Sequence, residues 1–506
     1  MKEESEMTNK SGTNKVIIAG AGIAGLTAGI YAQQSGFDTT ILEMHSIPGG
    51  NSTSWRRGGF LFEGGMHWLT GSNSNIPLNR IWRDVGALDD SIPVSYRDPY
   101  FTYDDKGIKV HLYRNADKLK EHLISVSPED TREIVSLCRE VKSFSKLKMP
   151  ITDIKGVRVK EKSSISLKLL IDMLPVLPGI SKFNKLSIGE YCERFRHPAI
   201  RSMLSGMIGE EYSASTLFFT LACFASGDGG YPKGGSLSMA LRMAKRYEEL
   251  GGRIIYGTRV ERVDVENSRA VGVVANGEKI PTDAVIVTAD TLCAIDSLFG
   301  EQLHEPWMEK LRRNTKFTAC TFISLGVGED LSDLPESLVF GLEEPIEYAG
   351  GKVDSLGFHN YAKYEGYAPE GCSSLTTALL GDTYDYWKEL RSRGEYDKEK
   401  QRIADAIIDR ISHKVPRIRD KIRIVDVATP LTYERYCGTY HGSWMTMTGK
   451  GDKTTQYPLK PKSIDRLYFA GQRLVTPGGL PVAAYTGRNA VQYLCRDFGE
   501  VFQVCK

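Results

Sequence analysis

Residues 15–43 read KVIIAGAGIAGLTAGIYAQQSGFDTTILE, and the first half of this stretch predicts the fold. The apolar run at residues 15–19 is typical of a buried parallel strand. Gly20, Gly22 and Gly25 follow it with GxGxxG spacing, which lets the backbone approach a pyrophosphate and lets a helix pack closely on the strand. The pattern therefore predicts a dinucleotide-binding unit of the Rossmann type.

The second half of the stretch supplies the other parts of such a unit. A helix follows the glycines and directs its positive N-terminus at the phosphates, and we expect Ala24 in its first turn to contact the dinucleotide. Residues 38–42 predict a second strand that leads to Glu43. A carboxylate there accepts hydrogen bonds from ribose hydroxyls and favours an unphosphorylated ribose. The motif alone does not distinguish FAD from NAD.

A glycine-rich segment continues from this unit and reads IPGGNSTSWRRGGFLFEGGMHWLTGS at residues 47–72. In it, Gly49 and Gly50 are followed by a polar run that includes Asn51 and Ser52. Such glycine density indicates backbone folded closely against a flat or charged group. The alternative is a glycine-rich hairpin that holds no ligand.

The composition argues against several other classes of protein. Of 506 residues, 41% are apolar and 25% are charged, and 65 Lys and Arg nearly balance 63 Asp and Glu, so we expect no nucleic-acid partner. The nine cysteines show no zinc-ligand or disulfide spacing, so we expect no metal site and a reducing, cytoplasmic location. The apolar stretch at residues 165–180 is too short and too interrupted to cross a bilayer, but it suits a peripheral membrane contact.

The glycine-rich segment resembles the phytoene desaturase group of FAD-dependent enzymes, which also holds carotenoid isomerases and retinol saturases and is more distantly similar to the amine oxidases. The shared pattern after the PGG element is a basic residue, a glycine–aromatic pair and an acid-x-glycine element, here Arg57, Gly59, Phe60, Glu63 and Gly65. One position departs from the pattern, because Asn51 stands where the group usually has an arginine near the pyrophosphate. The resemblance then implies that phosphate contact depends more on backbone amides and on Ser52.

Two later segments continue the resemblance. Residues 231–290 look like the group's return into the flavin domain, with Val260 at the position that contacts the adenine. Residues 467–494, LYFAGQRLVTPGGLPVAAYTGRNAVQYL, resemble the segment that reaches the ribityl chain and the pyrimidine edge of the flavin. The positions taken from that segment as flavin contacts are Gly471, Gln472, Leu480, Pro481 and Val482. A helix is expected to start near Val482, and Gln472 replaces the group's usual acid.

Together these segments imply an α/β fold made of two domains. A Rossmann-type FAD-binding domain with discontinuous segments is joined to an α+β substrate domain, which has a mixed sheet and a helical cover. The expected boundaries are a disordered tail at 1–14, an FAD-binding domain at 15–95, 228–295 and 460–506, and a substrate-binding domain at 96–227 and 296–459.

The substrate domain has its own sequence signals. Residues 99–113 predict a hairpin, and residues 317–327, 373–380 and 421–428 predict strands beneath the pocket. A segment near its C-terminal end resembles one that lies near the substrate in the group, and its aromatic residues are Tyr433, Tyr436, Tyr440 and Trp444. They are either pocket walls or ordinary core residues.

The sequence shows no Ser/His/Asp, paired-carboxylate or metal-ligand pattern, which fits chemistry carried by FAD itself. The candidates for proton transfer are His67, for which a structural role is the alternative, and Tyr485. Because a second GxGxxG site for a nicotinamide domain is missing, we expect a quinone, oxygen or another carrier to exchange electrons with the flavin.

The resemblance implies an FAD-dependent oxidoreductase that desaturates carbon–carbon bonds of a long hydrophobic substrate, such as a polyene, isoprenoid or related lipid. Saturation and double-bond isomerisation of the same substrates are alternatives, because the motifs define the cofactor and not the direction of electron flow. Oxidation of an amine or amino acid is a third alternative, and a flavin-fold lipid carrier without enzymatic activity is a fourth.

Overall fold

The computed structural model describes residues 13–148, 150–161, 171 and 174–504. Residues 1–12 of the predicted tail and part of the apolar stretch at 165–180 lie outside the described residues.

A five-stranded parallel sheet forms the first layer in the described part of the chain, and its strands come from three separate segments. In spatial order they are Arg253–Ile255, Asp38–Leu42, Lys15–Ala19, Ala284–Val287 and Leu467–Phe469. The strands predicted at 15–19 and 38–42 are confirmed. Their apolar runs suit a sheet covered on both faces, since neighbouring residues such as Ile17 and Ile18 enter different hydrophobic clusters.

Helices cover one face of this sheet, and a small sheet with two helices covers the other. The helices on the first face are Ile23–Gln34, Gly235–Glu249 and Leu480–Phe498. The elements on the second face are the antiparallel strands Val260–Glu266, Arg269–Ala275 and Glu278–Pro281 and the helices Thr291–Ser297 and Pro306–Asn314. The residues just after the strands of the parallel sheet therefore emerge between two packed layers.

A mixed sheet of eight strands, counted within the described residues, forms the second large layer. Its main path runs through Ile422–Ala428, Lys316–Val327, Ser373–Gly381, Gly351–Asn360, Ser337–Tyr348, Phe101–Asp105 and Ile108–Leu112, and Ser443–Met447 also pairs with Lys316–Val327. The hairpin predicted at 99–113 and the three strands predicted at 317–327, 373–380 and 421–428 are confirmed. The hairpin joins this sheet by parallel pairing of Leu338 with Thr102, while the other pairings are antiparallel.

Helices cover the mixed sheet and fill the space beside it. They are Ala116–Val126, Thr131–Phe144, Leu177–Phe183, Ile188–Cys192, Pro198–Gly206, Ala214–Ala225, Tyr384–Ser392, Tyr396–Lys414 and Pro430–Cys437. A further short helix, Asn79–Asp84, packs instead on the helical side of the parallel sheet. Short 3-10 turns lie at Pro128–Asp130, Pro416–Ile418, Tyr440–Gly442 and Gln472–Leu474. Three short strand pairs complete the described part of the structure, formed by Ser54–Arg57 with Phe60–Glu63, Val94–Ser95 with Tyr231–Pro232, and Arg158–Val159 with Val501–Phe502.

The predicted fold class, an α/β protein with a Rossmann-type sheet and a second mixed sheet, is confirmed. The residue numbers at which the two domains begin and end stay a prediction. Within the ranges that the structure describes, no helix combines the length and the apolar character needed to cross a bilayer.

Candidate functional site

A cavity of about 670 Å³ lies between the parallel sheet and the mixed sheet. Ala19 and Leu42 line it from the parallel sheet, while Phe322 and Thr377 line it from the mixed sheet. It is also lined by most of the residues predicted as cofactor contacts, namely Gly20, Gly22, Ala24, Glu43, Gly49, Gly50, Asn51, Ser52, Val260, Gly471, Gln472, Leu480 and Pro481. Three chain segments that are far apart in sequence therefore meet at one site.

The turn from Gly20 to Gly25 is tight and leaves space for a ligand beside its backbone. Gly20 has a φ of +110°, and a Cβ at Gly25 would lie 1.9 Å from the backbone oxygen of Gly20, so neither position accepts a larger residue without strain. A Cβ at Gly22 would instead meet no atom within 4 Å. Gly22 precedes the helix Ile23–Gln34, whose positive N-terminus favours an anion. The structure thus places Gly25 beneath the cavity as support, while Gly22 borders the cavity.

Glu43 lies at the end of its strand, as the ribose position requires. Its carboxylate accepts hydrogen bonds from the backbone N–H of Ala21 at 2.6 Å and of His45 at 2.8 Å. Burial raises the pKa of Glu43 above its ordinary value, and these backbone N–H groups act in the opposite direction. A carboxylate has acceptor capacity beyond two hydrogen bonds, so Glu43 can still accept from ribose hydroxyls.

The glycine-rich segment is joined directly to the turn, since the N–H of Gly49 donates to the oxygen of Ala21 at 2.9 Å. Just beyond it, two buried polar atoms have no hydrogen-bond partner among the described residues, Oδ1 of Asn51 and Oγ of Ser52. Buried polar groups in proteins are nearly always hydrogen-bonded, so these atoms indicate a ligand rich in donors and acceptors. They fit the phosphate and sugar parts of FAD.

A buried ion pair beside the cavity was missed by the sequence analysis. Arg473 and Asp290 both line the cavity, their side chains are 2% and 4% exposed, and Nε of Arg473 donates to Oδ2 of Asp290 at 2.7 Å. Nη1 of Arg473 is buried and has no partner in the described part of the chain. Arg473 directly follows Gln472, and its free donor suits a phosphate or a hydroxyl of FAD.

The two positions that depart from the family pattern are linked through one carbonyl. The Nδ2 atom of Asn51 donates to the oxygen of Trp444 at 3.3 Å, and Nε2 of Gln472 donates to the same oxygen at 3.4 Å. The Oε1 atom of Gln472 accepts from the N–H of Gly479 at 3.1 Å. Gln472 therefore connects the end of a sheet strand to the start of the last long helix.

That helix starts at Leu480, two residues before the predicted start near Val482, because Pro481 fits its first turn, where no N–H partner is needed. Leu480 and Pro481 line the cavity, whereas Val482 and Tyr485 are not among the lining residues. The hydroxyl of Tyr485 shares a hydrogen bond of 2.8 Å with Thr152. The roles expected for Val482 as a cofactor contact and for Tyr485 in proton transfer stay predictions.

The charged side chains that line the cavity, among the described residues, lie on the side of the parallel sheet; they are Glu43, Arg259, Asp290 and Arg473. The opposite side has no charged side chain among the described lining residues; apolar side chains there alternate with Ser, Thr and His side chains, and the apolar ones include Met207, Ile208, Phe322, Val339, Phe358 and Leu380. The cavity therefore combines a polar half, which suits the cofactor, with a half that suits an apolar chain.

His67 lines this apolar half, as does His359, which the sequence analysis missed. His359 lies on the strand Gly351–Asn360, which forms a hairpin with Ser337–Tyr348. The alternating run around FGLEEPIEYAGGKVDSLGFHN, with its glycine turn, is the signal that predicts such a hairpin. Within the described residues, no group of three or more His, Cys, Asp or Glu side chains is placed to hold a metal ion.

Of the aromatic residues considered as pocket walls, Trp444 lines the cavity and the three tyrosines do not. Tyr433 is 4% exposed and packs in a small core cluster with Phe322, while Tyr436 is 41% exposed. Tyr440 stacks on His441. The three tyrosines therefore pack in the core or near the surface and do not form walls of the cavity.

A family model described as flavin-containing amine oxidoreductase matches residues 23–495. The chain is 26% identical over 538 residues to a chloroplastic prolycopene isomerase from Daucus carota, with 98% of this chain and 82% of the relative covered. It is 24% identical over 510 residues to a lycopene-forming phytoene desaturase from a Paracoccus species, with 95% and 97% covered. Its fold is similar to that of an oxidoreductase from Methanosarcina mazei, with a TM-score of 0.60, 17% identity, and 94% and 100% covered.

Proposed function

Since the chain belongs to the flavin-containing amine oxidoreductase family and is an FAD-dependent oxidoreductase, we propose that it acts on carbon–carbon bonds of a long hydrophobic substrate. The observation that carries this proposal is the division of the cavity, because its charged lining is confined to the parallel-sheet side. The substrate class is a polyene, an isoprenoid or a related lipid, and the proposed reaction is desaturation. The names of the phytoene desaturase and prolycopene isomerase relatives support a polyene.

The polar half of the cavity binds and orients the cofactor. The turn from Gly20 to Gly25 and the helix that follows receive the phosphates, Glu43 accepts from ribose hydroxyls, and Arg473 donates through its free Nη1. The N-terminus of the helix Leu480–Phe498 stabilises negative charge by about 0.3 to 1 kcal/mol. When bound, FAD supplies the chemistry, by taking two electrons from a carbon–carbon bond or returning them.

The apolar half of the cavity holds the substrate and excludes water. Side chains such as Val339 and Phe358 contact the chain, and each buried CH₂ group contributes about 0.8 kcal/mol to binding. Binding therefore needs no charged anchor. A quinone, oxygen or another carrier would exchange electrons with FAD bound there, since the sequence has no second GxGxxG site for a nicotinamide domain.

Isomerisation of a double bond is the second candidate, because two of the most similar relatives are named as prolycopene isomerases. Saturation uses the same lining residues with the reverse electron flow. Oxidation of a small amine is disfavoured, because the carboxylates among the lining residues, Glu43 and Asp290, both lie on the cofactor side.

We propose a peripheral membrane contact as the route by which such a substrate reaches the cavity. Ile171, Leu174, Leu177 and Phe219 are 56%, 63%, 49% and 38% exposed. Phe219 lies on the helix Ala214–Ala225, whose Thr216 and Thr220 line the cavity, so this helix connects the apolar surface to the site. A cytoplasmic location with membrane association stays a prediction.

The proposed reaction is tested by mass spectrometry of lipid extracts from cells that accumulate a polyene and express the protein. We expect a product with two hydrogens fewer, or an isomer of unchanged mass, relative to cells without the protein. Val339→Trp fills the apolar half of the cavity and should abolish the product, whereas Val425→Trp, at a 41% exposed position of the mixed sheet, should retain it. Identical extracts with and without the protein would contradict the proposed action on a polyene.

A further inference from the structure

Two histidines face each other in the cavity, and the chemistry described above uses neither. His67 comes from the glycine-rich segment, and His359 comes from the strand Gly351–Asn360. Their rings are stacked, with centroids 4.3 Å apart and planes 24° apart, and both side chains line the cavity. Two polar rings therefore lie side by side in the half of the cavity whose described lining carries no charged side chain.

Neither imidazole hydrogen-bonds to a residue in the described part of the chain, and the Nδ1 atom of each is buried. Burial lowers the pKa of His67 to about 3, and the charge of Arg97 acts in the same direction. Burial also lowers the pKa of His359 well below its ordinary range, with smaller contributions from His67 and Arg97. Both rings are therefore uncharged at neutral pH, and each has one N–H donor and one nitrogen acceptor.

Aromatic side chains hold the pair, and a third unused polar group lies beside it. The rings of Trp444 and His67 meet edge to face with centroids 5.4 Å apart, and those of Phe101 and His359 with centroids 6.0 Å apart. Ser337 lies opposite His359 on the neighbouring strand, lines the cavity and is 3% exposed. Its Oγ has no partner among the described residues. Because buried polar groups are nearly always satisfied in proteins, this cluster indicates a polar ligand atom.

The cluster is suited to an uncharged ligand atom. Arg97 is the cation whose charge reaches both histidines, but it is not among the residues that line the cavity. It forms an ion pair with Glu336 at 3.4 Å and donates to the hydroxyl of Tyr364 at 3.0 Å. Nη1 of Arg97 has no partner among the described residues, but Arg97 lies outside the cavity lining, so a charged substrate group beside the histidines would be desolvated without a counter-ion in the lining.

We propose that His67, His359 and Ser337 bind an uncharged oxygen atom of the substrate, so that the substrate is an apolar chain with a hydroxyl or a carbonyl group rather than a pure hydrocarbon. This inference rests on the proposed function, since it specifies the substrate class of the same cavity. Because the rings are stacked with centroids 4.3 Å apart, their nitrogens lie close to one another, and one polar group of the substrate can hydrogen-bond to either ring. The bound oxygen fixes the position of the chain, and with it the carbon–carbon bond that lies at the flavin.

The test compares ligands that share one chain and differ at its end: geranylgeraniol, its aldehyde, its carboxylic acid and the corresponding hydrocarbon. Each is titrated into the FAD-loaded protein, and binding is followed by the change in the visible absorbance of the flavin. The measured quantity is the Kd of the hydrocarbon divided by the Kd of the alcohol or aldehyde. This ratio cancels the contribution of the shared apolar chain.

We expect His359→Leu and His67→Leu each to lower this ratio by about 5- to 10-fold, and Ser337→Ala to lower it by about threefold. His359→Gln keeps an amide donor and acceptor, so it should retain the ratio within about threefold of the wild-type value. His413→Leu is the matched control, because His413 lies on the helix Tyr396–Lys414 with a side chain that is 63% exposed, and it should leave the ratio unchanged.

An unchanged ratio in the folded variants of both histidines and of Ser337 overturns the inference. Tighter binding of the acid than of the alcohol overturns it as well, since it indicates a charged ligand. Failure of the wild-type protein to bind FAD counts against the proposed function alone, because the same ligands can then be titrated by the fluorescence of Trp444 and Trp68, which line the cavity.

Discussion

A methyl group at position 22 is expected to weaken FAD binding while leaving the fold intact. Gly22 has a φ of −69° and a ψ of 177°, an extended conformation that alanine adopts freely, and a Cβ there meets no atom within 4 Å. Gly22 also lines the cavity at the start of the helix Ile23–Gln34. The added methyl group therefore occupies the space through which a phosphate approaches the backbone.

The expected magnitudes separate binding from folding. A lost hydrogen bond between a backbone N–H and a charged phosphate weakens binding by about 1.5 to 3 kcal/mol, so the Kd of FAD should rise by roughly 10- to 150-fold in Gly22→Ala. Alanine is a poorer N-cap than glycine by up to about 1 kcal/mol. Reduced freedom of the unfolded chain offsets this by about 0.4 to 1 kcal/mol. The free energy of unfolding of the FAD-free protein should change by less than about 1 kcal/mol.

Calorimetric titration with FAD measures the first quantity, and urea unfolding of the FAD-free protein measures the second. Gly351→Ala is the matched control, because a Cβ at Gly351 lies 3.7 Å from the oxygen of Tyr348 and outside the cavity lining. Gly25→Ala should instead destabilise the fold, since its Cβ would meet the oxygen of Gly20 at 1.9 Å. A Kd for Gly22→Ala within about threefold of the wild-type value would refute the reasoning.

Three further predictions concern the polar half of the cavity and the histidine. Gln472→Glu should keep or strengthen FAD binding, because a carboxylate still accepts from the N–H of Gly479 and can accept from a ribityl hydroxyl. A Kd of FAD raised more than about 10-fold in the calorimetric titration would contradict this. Arg473→Met leaves Asp290 buried and unpaired, so urea unfolding should show a loss of about 3 to 5 kcal/mol, and a loss below about 1 kcal/mol would be inconsistent with the ion pair. His67 has a pKa of about 3 in the folded protein and an ordinary value of 6.5, so the unfolded chain binds more protons, and stability falls as the pH drops from 6.5 towards 3. His67→Gln should make the unfolding free energy depend less steeply on pH, by the equivalent of up to about one bound proton. Equal slopes in the wild-type protein and the variant would contradict the lowered pKa of His67.

Features whose geometry is local could be predicted from the sequence. The turn needs glycine at Gly20 for its positive φ and at Gly25 for the close approach to the oxygen of Gly20, and both reasons lie within six residues. Glu43 follows from the length of one helix and one strand. The segment at 467–494, located by its resemblance, contains the strand Leu467–Phe469 and most of the helix Leu480–Phe498. In these cases the residue types report directly on backbone shape.

Features that depend on distant pairing could not be predicted in the same way. His359 meets His67 only because the hairpin from Ser337 to Asn360 is inserted into the mixed sheet, where Leu338 pairs with Thr102. No local pattern encodes that partner. Arg473 was missed for the same reason, since its counter-ion follows a strand from another part of the chain. Tyr485 lies outside the cavity lining, and its distance from the helix start alone did not indicate which side of the helix faces the cavity.

We propose that FAD bound in the polar half of the cavity exchanges electrons with an apolar chain held in the other half. The most direct measurement is anaerobic incubation of the FAD-loaded protein with a stoichiometric polyene, with the flavin absorbance and the product mass recorded together. We predict loss of the oxidised flavin absorbance in step with a product that lacks two hydrogens. An unchanged polyene, with the flavin in either its oxidised or its reduced state, would contradict the account.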